Sequence, residues 1–520
     1  MSGRLRALSV GLLVLGLIVA TWARISSDIM TTPASMDETW HMTLSTGRGG
    51  FTQIFIEGMS TKGLAPVTAL ASPNTPPWYR AWSNLDSTLH PPLHVFTLRF
   101  WRAIFGDSTT VAKTYSVAWG LLTITVMTLC AYRSFGWLAA AYAMGFMALA
   151  SSQIYLHTQV RSYAMLLAMT AMLLYTLISI RHSGATRTRL IAVAGLSLGM
   201  MLSHYFAVGP LTATLGYLLI ILPGAWRKEC LGWIALAVAL YAAMWGPFVG
   251  GQIVSLQTGD QYLKMSSNRS LIDQVTVSLA AVLPRGIVDQ RPMQGSWLYL
   301  TLAAVAVWAI CCCLFAKARP WLVIGGGSLM FLILLDVSRQ TVHLSFVRFC
   351  SIASSLMIIS LMGMWASVCL RSRNEIIRHY VAHALPMVVL IAAIGTTGTH
   401  SMDESPRLFD VITKLADYLD RTGDADSPVI VSDLMCRSWQ AQSIPFEANR
   451  RGMTRTRNVT WIRDAIKHDS PPVVLGQTFI AIGMSRTLTP ELVAPGAVVI
   501  DSVVGKNNDI QIWKMKFPEK

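Results

Sequence analysis

The chain has 520 residues, of which 53% are hydrophobic and only 13% charged, and its mean hydropathy is +0.48. This composition excludes a water-soluble protein and indicates a polytopic membrane protein. The net charge of +15 does not indicate nucleic-acid binding, because most of the basic surplus lies in short tracts between apolar runs.

Apolar runs long enough to cross a bilayer recur along the first 400 residues. A spanning helix needs about 20 apolar residues, and eleven runs of this kind are bounded by charged or turn residues. The sequence therefore predicts a polytopic α-helical membrane protein with about eleven transmembrane helices. The predicted spans are 7–23, 111–131, 135–155, 162–180, 190–207, 209–225, 230–252, 297–316, 320–336, 345–369 and 380–398.

Basic residues mark every second loop, on the side where the N-terminus lies. The positive-inside rule places that side in the cytoplasm and the C-terminus outside, in a multi-pass protein of the plasma (inner) membrane. A signal peptide is an alternative for the first run, but the run is long and no small-x-small cleavage site follows it, so we expect an uncleaved helix. The basic tracts are Arg4 and Arg6; Arg133; Arg181, Arg187 and Arg189; Arg227 and Lys228; Lys317 and Arg319; Arg371, Arg373 and Arg378.

Three predicted exterior segments are too long to be simple connectors: residues 24–110, 253–296 and 401–520. The last of these turns polar, with a predicted helix that opens at Ser405 and four short strand-like runs. The sequence thus predicts a membrane domain over residues 1–400 and a small exterior α/β domain over residues 401–520. The strand-like runs are 429–431, 473–475, 497–500 and 510–517.

Ionisable residues lie at the predicted outer helix ends, and the interiors of the apolar runs are almost free of them. This pattern disfavours a transporter, which would place charges near mid-bilayer. The acidic pair Asp37-Glu38 follows the first span and could supply a general base, although an acid-capped helix N-terminus explains it as well. His90 opens a Pro-Pro turn and an amphipathic aromatic stretch that is typical of a helix on the membrane surface.

Arginines at other outer ends suggest a site for an anion. Arg161 lies at the predicted junction of two spans, and a guanidinium there must find an anion because it cannot lose its charge. The alternative is that the side chain extends to lipid headgroups. His204-Tyr205 and Arg348 occupy similar positions at other outer ends.

The order of these motifs resembles the GT-C superfamily of membrane glycosyltransferases, in the bacterial branch similar to protein O-mannosyltransferases and lipid A aminoarabinose transferases. The resemblance covers residues 1 to about 400. It implies a GT-C fold and an active site at the outer, periplasmic face of the membrane. The motifs that carry it are Asp37-Glu38, His90-Pro91-Pro92-Leu93, Phe105-Gly106-Asp107-Ser108, Gln159-Val160-Arg161-Ser162-Tyr163-Ala164 and His204-Tyr205-Phe206.

The resemblance also implies a reaction, in which a sugar passes from a polyprenyl-phosphate donor to the hydroxyl of a lipid, glycan or protein. Asp37 is expected to be the general base, with Glu38 in support. Arg161 and Arg348 are expected to bind the departing phosphate. One carboxylate base without a separate nucleophile implies inversion. The other expected substrate-binding residues are His90, Gln159, Tyr163, His204 and Tyr205.

Gln159 departs from the family pattern, which usually reads Gln-Glu-Ala-Arg where this chain has Thr-Gln-Val-Arg. If relatives use that glutamate as an acid or a metal ligand, this chain lacks it, and altered specificity or inactivity is an alternative. The sequence requires no cofactor, and it leaves the use of a divalent metal undecided.

Two functions from other classes remain as alternatives. A transporter or flippase would move a lipid-linked sugar without chemistry. A membrane-anchored exterior binding protein would use the C-terminal domain to capture a ligand, although eleven spans exceed what an anchor needs.

Overall fold

A computed structural model describes most of the helical part of the chain and the strands of its C-terminal part. The described residues are 3–26, 36–49, 75–85, 90–259, 275–276, 279, 296–339, 343, 347–394, 429–432, 459–462, 478–483, 498–504 and 511–516. The predicted helix at Ser405 and the strand-like run 473–475 lie outside these residues.

The chain divides into two compact units, each built from three stretches of sequence. Unit 1 comprises Met1–Met30, Thr88–His94 and Lys113–Asp403. Unit 2 comprises Thr31–Ser87, Val95–Ala112 and Glu404–Lys520. The predicted boundary near residue 400 stays a prediction.

The described residues of unit 1 form apolar helices with short connections, as the length of the apolar runs requires. A 3-10 turn at Tyr205–Ala207 and a π-helical turn at Ile377–Val381 interrupt this pattern. The helices that lie wholly or partly in unit 1 are α1 (Gly3–Ile25), α4 (Pro92–Phe105), α5 (Thr109–Phe135), α6 (Trp137–Leu149), α7 (Ser151–Thr158), α8 (Ser162–Ser183), α9 (Arg187–Ser203), α10 (Val208–Ile221), α11 (Gly224–Gly259), α12 (Ser296–Leu314), α13 (Arg319–Arg339), α14 (Val347–Cys369) and α15 (Ala382–Ile394).

An apolar helix lies at each of the eleven predicted positions, which confirms a helical membrane protein. Among the described residues, five helices are long and apolar enough to cross a membrane, or six if the bent pair α6–α7 counts as one span. Other apolar helices, such as Ala382–Ile394, are shorter. The number of eleven crossings and the predicted topology therefore stay predictions.

Helices α8 and α14 form the interior of unit 1. The most apolar window of α8 is 83% buried and that of α14 is 78% buried, whereas the window of α11 is only 11% buried. A helix that is apolar on all sides packs either inside a bundle or against lipid. The exposed apolar surface of α11 is therefore typical of a lipid-facing helix. Helix α8 is buried, and the residues just before it, such as Arg161, are buried with it.

Helices α10 and α13 approach each other through small residues. A Cβ atom added at Gly327 would lie 2.4 Å from the Cβ of Ala213, and one added at Gly209 would lie 2.6 Å from the carbonyl oxygen of Gly327. Small residues at such contacts let two backbones pack closely, which is how helices associate where no hydrophobic effect drives them together.

The α6–α7 pair is bent by 60°, and an arginine from α1 satisfies the groups that the bend exposes. The break lies at Ala150, whose extended backbone ends α6. Arg24 is fully buried and donates to the carbonyl oxygens of Ala148 at 2.9 Å and Met147 at 2.8 Å. Its guanidinium also lies 2.7 Å from Nδ1 of His157 on α7. Arg24 thus joins both halves of the bent pair, because the last carbonyls of a helix need outside donors.

In the described residues of unit 2, helices lie between residues 36 and 105 and a five-stranded sheet lies between residues 429 and 516. The helices are α2 (Met36–Ser45), α3 (Arg80–Ser83) and the part of α4 from Val95 onward. The sheet has the order β2-β1-β3-β5-β4, with β1 parallel to β2 and β3, and β5 antiparallel to β3 and β4. The strands are β1 (Val429–Ser432), β2 (Val459–Ile462), β3 (Thr478–Gly483), β4 (Val498–Val504) and β5 (Gln511–Lys516).

Strands β1, β4 and β5 coincide with predicted strand-like runs, whereas β2 and β3 were not predicted. The β3 sequence, Thr-Phe-Ile-Ala-Ile-Gly, is apolar without strict alternation, so a buried strand in it is hard to distinguish from a helix segment. The sheet shows strands in this region, and the predicted small α/β domain and its exterior location stay predictions.

The close contact between α10 and α13 leads to a stability prediction. Gly327→Ala should destabilise the protein by about 1–3 kcal/mol, the usual cost of overpacking a tight contact. Gly216→Ala on α10 is the matched control, because nothing lies within 4 Å of a Cβ at that position. Thermal unfolding of the purified variants measures both effects. Equal unfolding temperatures for the two variants would contradict the packing described here.

Candidate active site

Aromatic and basic side chains from three helix junctions of unit 1 meet around Phe349. The ring centroid of Phe349 lies 5.0 Å from that of Phe206, 5.1 Å from that of His343 and 5.9 Å from that of Tyr163. The guanidinium carbon of Arg348 lies 4.8 Å from the Phe349 centroid. These residues and His204 are called the Phe349 cluster: Tyr163, His204, Phe206, His343, Arg348 and Phe349.

His204 connects the start of α8 to the start of α10. Its ring centroid lies 4.5 Å from Phe206, 5.1 Å from Tyr163 and 6.2 Å from His90. Nδ1 of His204 accepts the backbone N–H of Phe206 at 3.1 Å and so caps the 3-10 turn. Because Nδ1 accepts a hydrogen bond, the proton of the neutral ring lies on Nε2. The structure thus brings three of the predicted residues, Tyr163, His204 and His90, together.

Tyr205 holds the backbone that carries His90 rather than presenting a free hydroxyl. Its hydroxyl donates to Oε1 of Gln252, and it accepts from Nε1 of Trp245 at 3.1 Å. Nε2 of Gln252 in turn donates to the carbonyl oxygen of His90 at 3.1 Å. Sequence reasoning did not single out Gln252, although an amide near the end of an apolar run is the signal that could have identified it.

Arg161 and Arg348 are both buried cations at helix starts. Arg161 is 3% exposed and is the N-cap of α8, two residues before Tyr163, while Arg348 is 5% exposed at the start of α14. Their burial makes lipid-headgroup contact by an extended side chain a poor explanation, since that explanation needs the charged end at the surface. A buried guanidinium is instead suited to bind a phosphate with two parallel hydrogen bonds.

Gln159 lies in the connection between α7 and α8 and is 6% exposed. Among the atoms that the structure describes, its Oε1 is buried without a hydrogen-bond partner. A buried acceptor of this kind carries a desolvation cost unless it binds a donor. A substrate hydroxyl would be such a donor.

A buried aspartate that sequence reasoning missed lies beside the Phe349 cluster. Asp336 of α13 is fully buried, and its Oδ1 accepts the backbone N–H of His343 at 2.7 Å and lies 2.8 Å from His343 Nδ1. The expectation that apolar runs carry almost no charge hid this residue. The signal was an acidic residue at the last position of an apolar run, seven residues before a histidine.

The predicted base belongs to unit 2. Asp37 and Glu38 occupy the first turn of α2, as the helix-capping interpretation predicted. Glu38 is 3% exposed, and the side chain of Asp37 lies outside what the structure describes. The structure therefore leaves the role of this acidic pair as a prediction.

Arg102 of α4 holds the C-terminal end of the helix that carries Asp37. Its guanidinium donates to the carbonyl oxygen of Met42 at 2.9 Å and to Oγ of Ser45 at 2.8 Å. It also pairs with Asp107 at 3.4 Å. Burial lowers the pKa of Arg102 to about 10; Asp107 raises it in part, and nearby Arg48 lowers it further.

A cavity of about 180 Å³ lies beside Arg102 within unit 2. Arg99 also lines it and donates to the carbonyl oxygens of Pro76 and Pro77. The guanidinium carbon of Arg99 lies 4.8 Å from the ring centroid of Trp78. Both arginines therefore bind the backbone of unit 2, so we interpret them as residues that organise this unit. The lining residues are Ser45, Thr46, Thr75, Trp78, Arg99, Arg102 and Ala103.

Metal dependence stays undecided. In the part of the chain that the structure describes, no three His, Cys, Asp or Glu side chains are grouped so that they could hold a metal ion.

Comparison with known proteins finds one family match and several similar folds. Residues 89–247 match the family described as dolichyl-phosphate-mannose-protein mannosyltransferase. The fold matches the crystal structure of ArnT from Cupriavidus metallidurans in the apo state, with a TM-score of 0.54 and 13% identity over 97% of this chain and 98% of that chain. The mannosyltransferase match and the ArnT-like fold agree with the predicted resemblance to GT-C glycosyltransferases. This agreement favours the enzyme over the flippase and the binding protein.

Two further solved structures are similar to this chain at lower scores. ArnT from Cupriavidus metallidurans bound to undecaprenyl phosphate has a TM-score of 0.47 and 16% identity over 97% of this chain and 98% of that chain. The oligosaccharyltransferase AglB from Archaeoglobus fulgidus, in complex with an inhibitory peptide and a dolichol-phosphate, has a TM-score of 0.44 and 13% identity over 88% of this chain and 65% of that chain. A comparison with curated protein sequences finds no significant match.

The contacts of Arg102 lead to a prediction about α2. Arg102→Leu should lower the unfolding temperature and reduce transferase activity at least ~10-fold, because it leaves the buried helix-end acceptors without their donor and removes the ion-pair partner of half-buried Asp107. Arg80→Leu is the matched control, since Arg80 lies on α3 of the same unit and is exposed. Thermal unfolding and a transfer assay measure the two effects. Wild-type activity in Arg102→Leu would show that α2 does not depend on this arginine.

Proposed function

We propose that this glycosyltransferase moves a sugar from a polyprenyl-phosphate donor to the hydroxyl of a lipid, glycan or protein acceptor, at the exterior face of the plasma (inner) membrane and with inversion. The observation that carries the proposal is the pair of buried arginines, Arg161 and Arg348, at helix starts of unit 1. The family match covers Arg161, and its description names a dolichyl-phosphate sugar as the donor.

The buried arginines suit the leaving group of this reaction. When the bond between the anomeric carbon and the phosphate oxygen breaks, negative charge collects on the departing polyprenyl phosphate. Guanidinium groups that are already held in place stabilise that charge without further reorganisation. Arg348 lies against the Phe349 ring, which limits its movement. Arg161 is placed by the start of α8.

The acceptor hydroxyl needs a base, and Asp37 is the candidate. The hydroxyl oxygen attacks the anomeric carbon while its proton passes to the Asp37 carboxylate, and the phosphate leaves from the opposite side. One displacement of this kind inverts the anomeric configuration. Glu38 follows Asp37 on α2 and is buried, so it is the candidate for supporting the base.

The remaining predicted residues are suited to holding the sugar. The ring centroid of His204 lies 6.2 Å from that of His90 and 5.1 Å from that of Tyr163, so the three rings can line one sugar site. Gln159 offers a buried carbonyl acceptor for a sugar hydroxyl. Tyr205 contributes through Gln252, which binds the backbone of His90.

The distribution of charge supports an exterior site. The Phe349 cluster forms where α7 meets α8, α9 meets α10 and α13 meets α14. The basic tracts occupy the alternate junctions, including Arg181 at the end of α8, Arg319 at the start of α13 and Arg371 after α14. By the positive-inside rule the basic junctions are cytoplasmic, so the cluster is exterior.

The role of Asp37 can be tested by removing its ability to accept a proton. Asp37→Asn keeps the size of the side chain and should leave the unfolding temperature nearly unchanged, while transfer slows at least ~100-fold, as expected for loss of a general base. Glu38→Gln should cost less. The assay supplies purified enzyme with lipid-linked sugars from the native membrane and follows donor loss and glycan gain by mass spectrometry.

Glu375→Gln is the control for this series, because that side chain is 84% exposed and plays no part in the proposed reaction. Full activity in Asp37→Asn combined with inactivity in Glu38→Gln would move the base to Glu38. Full activity in both variants would disprove the proposed mechanism. Translocation of donor without any transfer by the wild type would replace the proposed function with a flippase.

A further inference from the structure

Arg24 has no part in the reaction proposed above, yet it connects two segments of unit 1. Its side chain is fully buried. Its guanidinium donates to the carbonyl oxygens of Met147 and Ala148, at the end of α6, over 2.8 and 2.9 Å. It also lies 2.7 Å from Nδ1 of His157 on α7. One side chain therefore bridges both sides of the 60° bend between α6 and α7.

The contact between Arg24 and His157 has a defined direction. A guanidinium has N–H donors and no acceptor, so Nη2 of Arg24 donates and Nδ1 of His157 accepts. The imidazole is therefore neutral in this contact, with its proton on Nε2. The two side chains are thus joined by a directed hydrogen bond, without repulsion between two cations.

Helix α5 packs against the same histidine from another direction. A Cβ atom added at Gly120 would lie 2.5 Å from Cβ and Cγ of His157 and 2.9 Å from its Nδ1. These distances are far inside van der Waals contact, so a glycine at this position leaves the room that the ring needs. The fully buried His157 is therefore held both by Gly120 of α5 and by Arg24 of α1.

The residues that follow His157 belong to the proposed site. Gln159 is the C-cap of α7, and its N–H donates to the carbonyl oxygen of Tyr155 at 3.2 Å. The N–H of Arg161 donates to the carbonyl oxygen of Gln159 at 2.8 Å, and Arg161 is the N-cap of α8. Every residue of α7 is buried. A shift of this short helix would therefore move Gln159 and Arg161 with it.

We infer that Arg24 is a positioning residue of the donor site, which acts through His157 and α7 on Arg161. The inference rests on the proposed function, because it takes Arg161 as a residue that binds the donor phosphate. Arg24 itself touches no substrate in this assignment. Misplacement of a binding group by about 1 Å can cost ~100-fold in rate, so the contacts that support such a group matter as much as the group itself.

A purely structural role for Arg24 makes a different prediction, which concerns the ratio of the affinities for undecaprenyl phosphate and undecaprenol. If Arg24 only stabilised the bend, its removal would reduce the amount of folded protein and leave this ratio unchanged. If Arg24 positions Arg161, its removal lowers the ratio, because the phosphate contact weakens while the contacts of the isoprenoid chain persist.

The test measures binding of both lipids to the full-length protein in nanodiscs. Arg24→Met removes the donors and keeps a long side chain, and it should lower the ratio at least ~10-fold, as expected for a misplaced binding group. Arg24→Lys should retain part of the ratio, because an ammonium can still donate to the carbonyl oxygens of α6. Gly120→Ala should lower the ratio in the same direction without removing a polar group, because the added methyl group displaces His157.

Gly363→Ala is the matched control for Gly120→Ala. A Cβ atom added at Gly363 would also collide with a ring next to α5, that of Phe135, so the cost of overpacking should be similar. Gly363 lies roughly four turns of α14 away from Arg348. The control should therefore lower the unfolding temperature and leave the ratio unchanged.

A double variant tests the route from Arg24 to the phosphate. If Arg24 acts through Arg161, the variant with both Arg24→Met and Arg161→Ala should have the same ratio as Arg161→Ala alone, because residues that act as one unit are not additive. Additive losses would show that Arg24 acts elsewhere and would overturn the inference.

The remaining outcomes separate this inference from the proposed function. A wild-type ratio in folded Arg24→Met or folded Gly120→Ala would overturn the inference alone, as would an equal loss of the ratio in Gly363→Ala. A wild-type ratio in Arg161→Ala would remove both the inference and the proposed leaving-group role of Arg161. A wild type that selects undecaprenyl phosphate through Arg161 and Arg24 but transfers no sugar would disprove the proposed function and leave the inference standing.

Discussion

Buried charge inside an apolar helical unit is the constraint on which the rest of this structure depends. Lipid offers no hydrogen bonds, so each polar group inside the bundle must find a partner in the protein or in a substrate. Arg24 donates hydrogen bonds to the carbonyl oxygens that the bend at Ala150 exposes. The carboxylate of Asp336 contacts Nδ1 of His343. Arg161 and Arg348 are buried in the same unit, so each of them also needs acceptors from the protein, from a substrate or from both.

The constraint also separates structural charges from functional ones. Arg102 donates hydrogen bonds to Met42 and Ser45 and pairs with Asp107, all within unit 2. We expect it to affect the reaction only through α2, the helix that carries Asp37. Arg348 lies in unit 1, where its guanidinium carbon is 4.8 Å from the ring centroid of Phe349, and it is a residue that we propose for the donor phosphate.

The sequence was most informative where a single physical requirement decides the outcome. The need for about 20 apolar residues to cross a bilayer located the helices of unit 1, and the chemistry of anion binding singled out Arg161 and Arg348 before their burial was known. The break at Ala150 was not predicted, although the polar residues Ser151, Ser152 and Gln153 follow it directly. The carbonyls that it exposes are satisfied by Arg24, more than a hundred residues away in sequence. Asp336 was missed because the apolar runs were expected to carry almost no charge, although it is the last residue of the run 320–336 and lies seven residues before His343.

The central claim is that the Phe349 cluster holds the donor phosphate of this glycosyltransferase. The most direct measurement is photo-crosslinking with a polyprenyl phosphate that carries a diazirine next to the phosphate, followed by peptide mapping. The account predicts labelled peptides from residues 159–163 and 343–349. Labelling confined to the basic junctions, at residues 181–189 and 371–378, would contradict it.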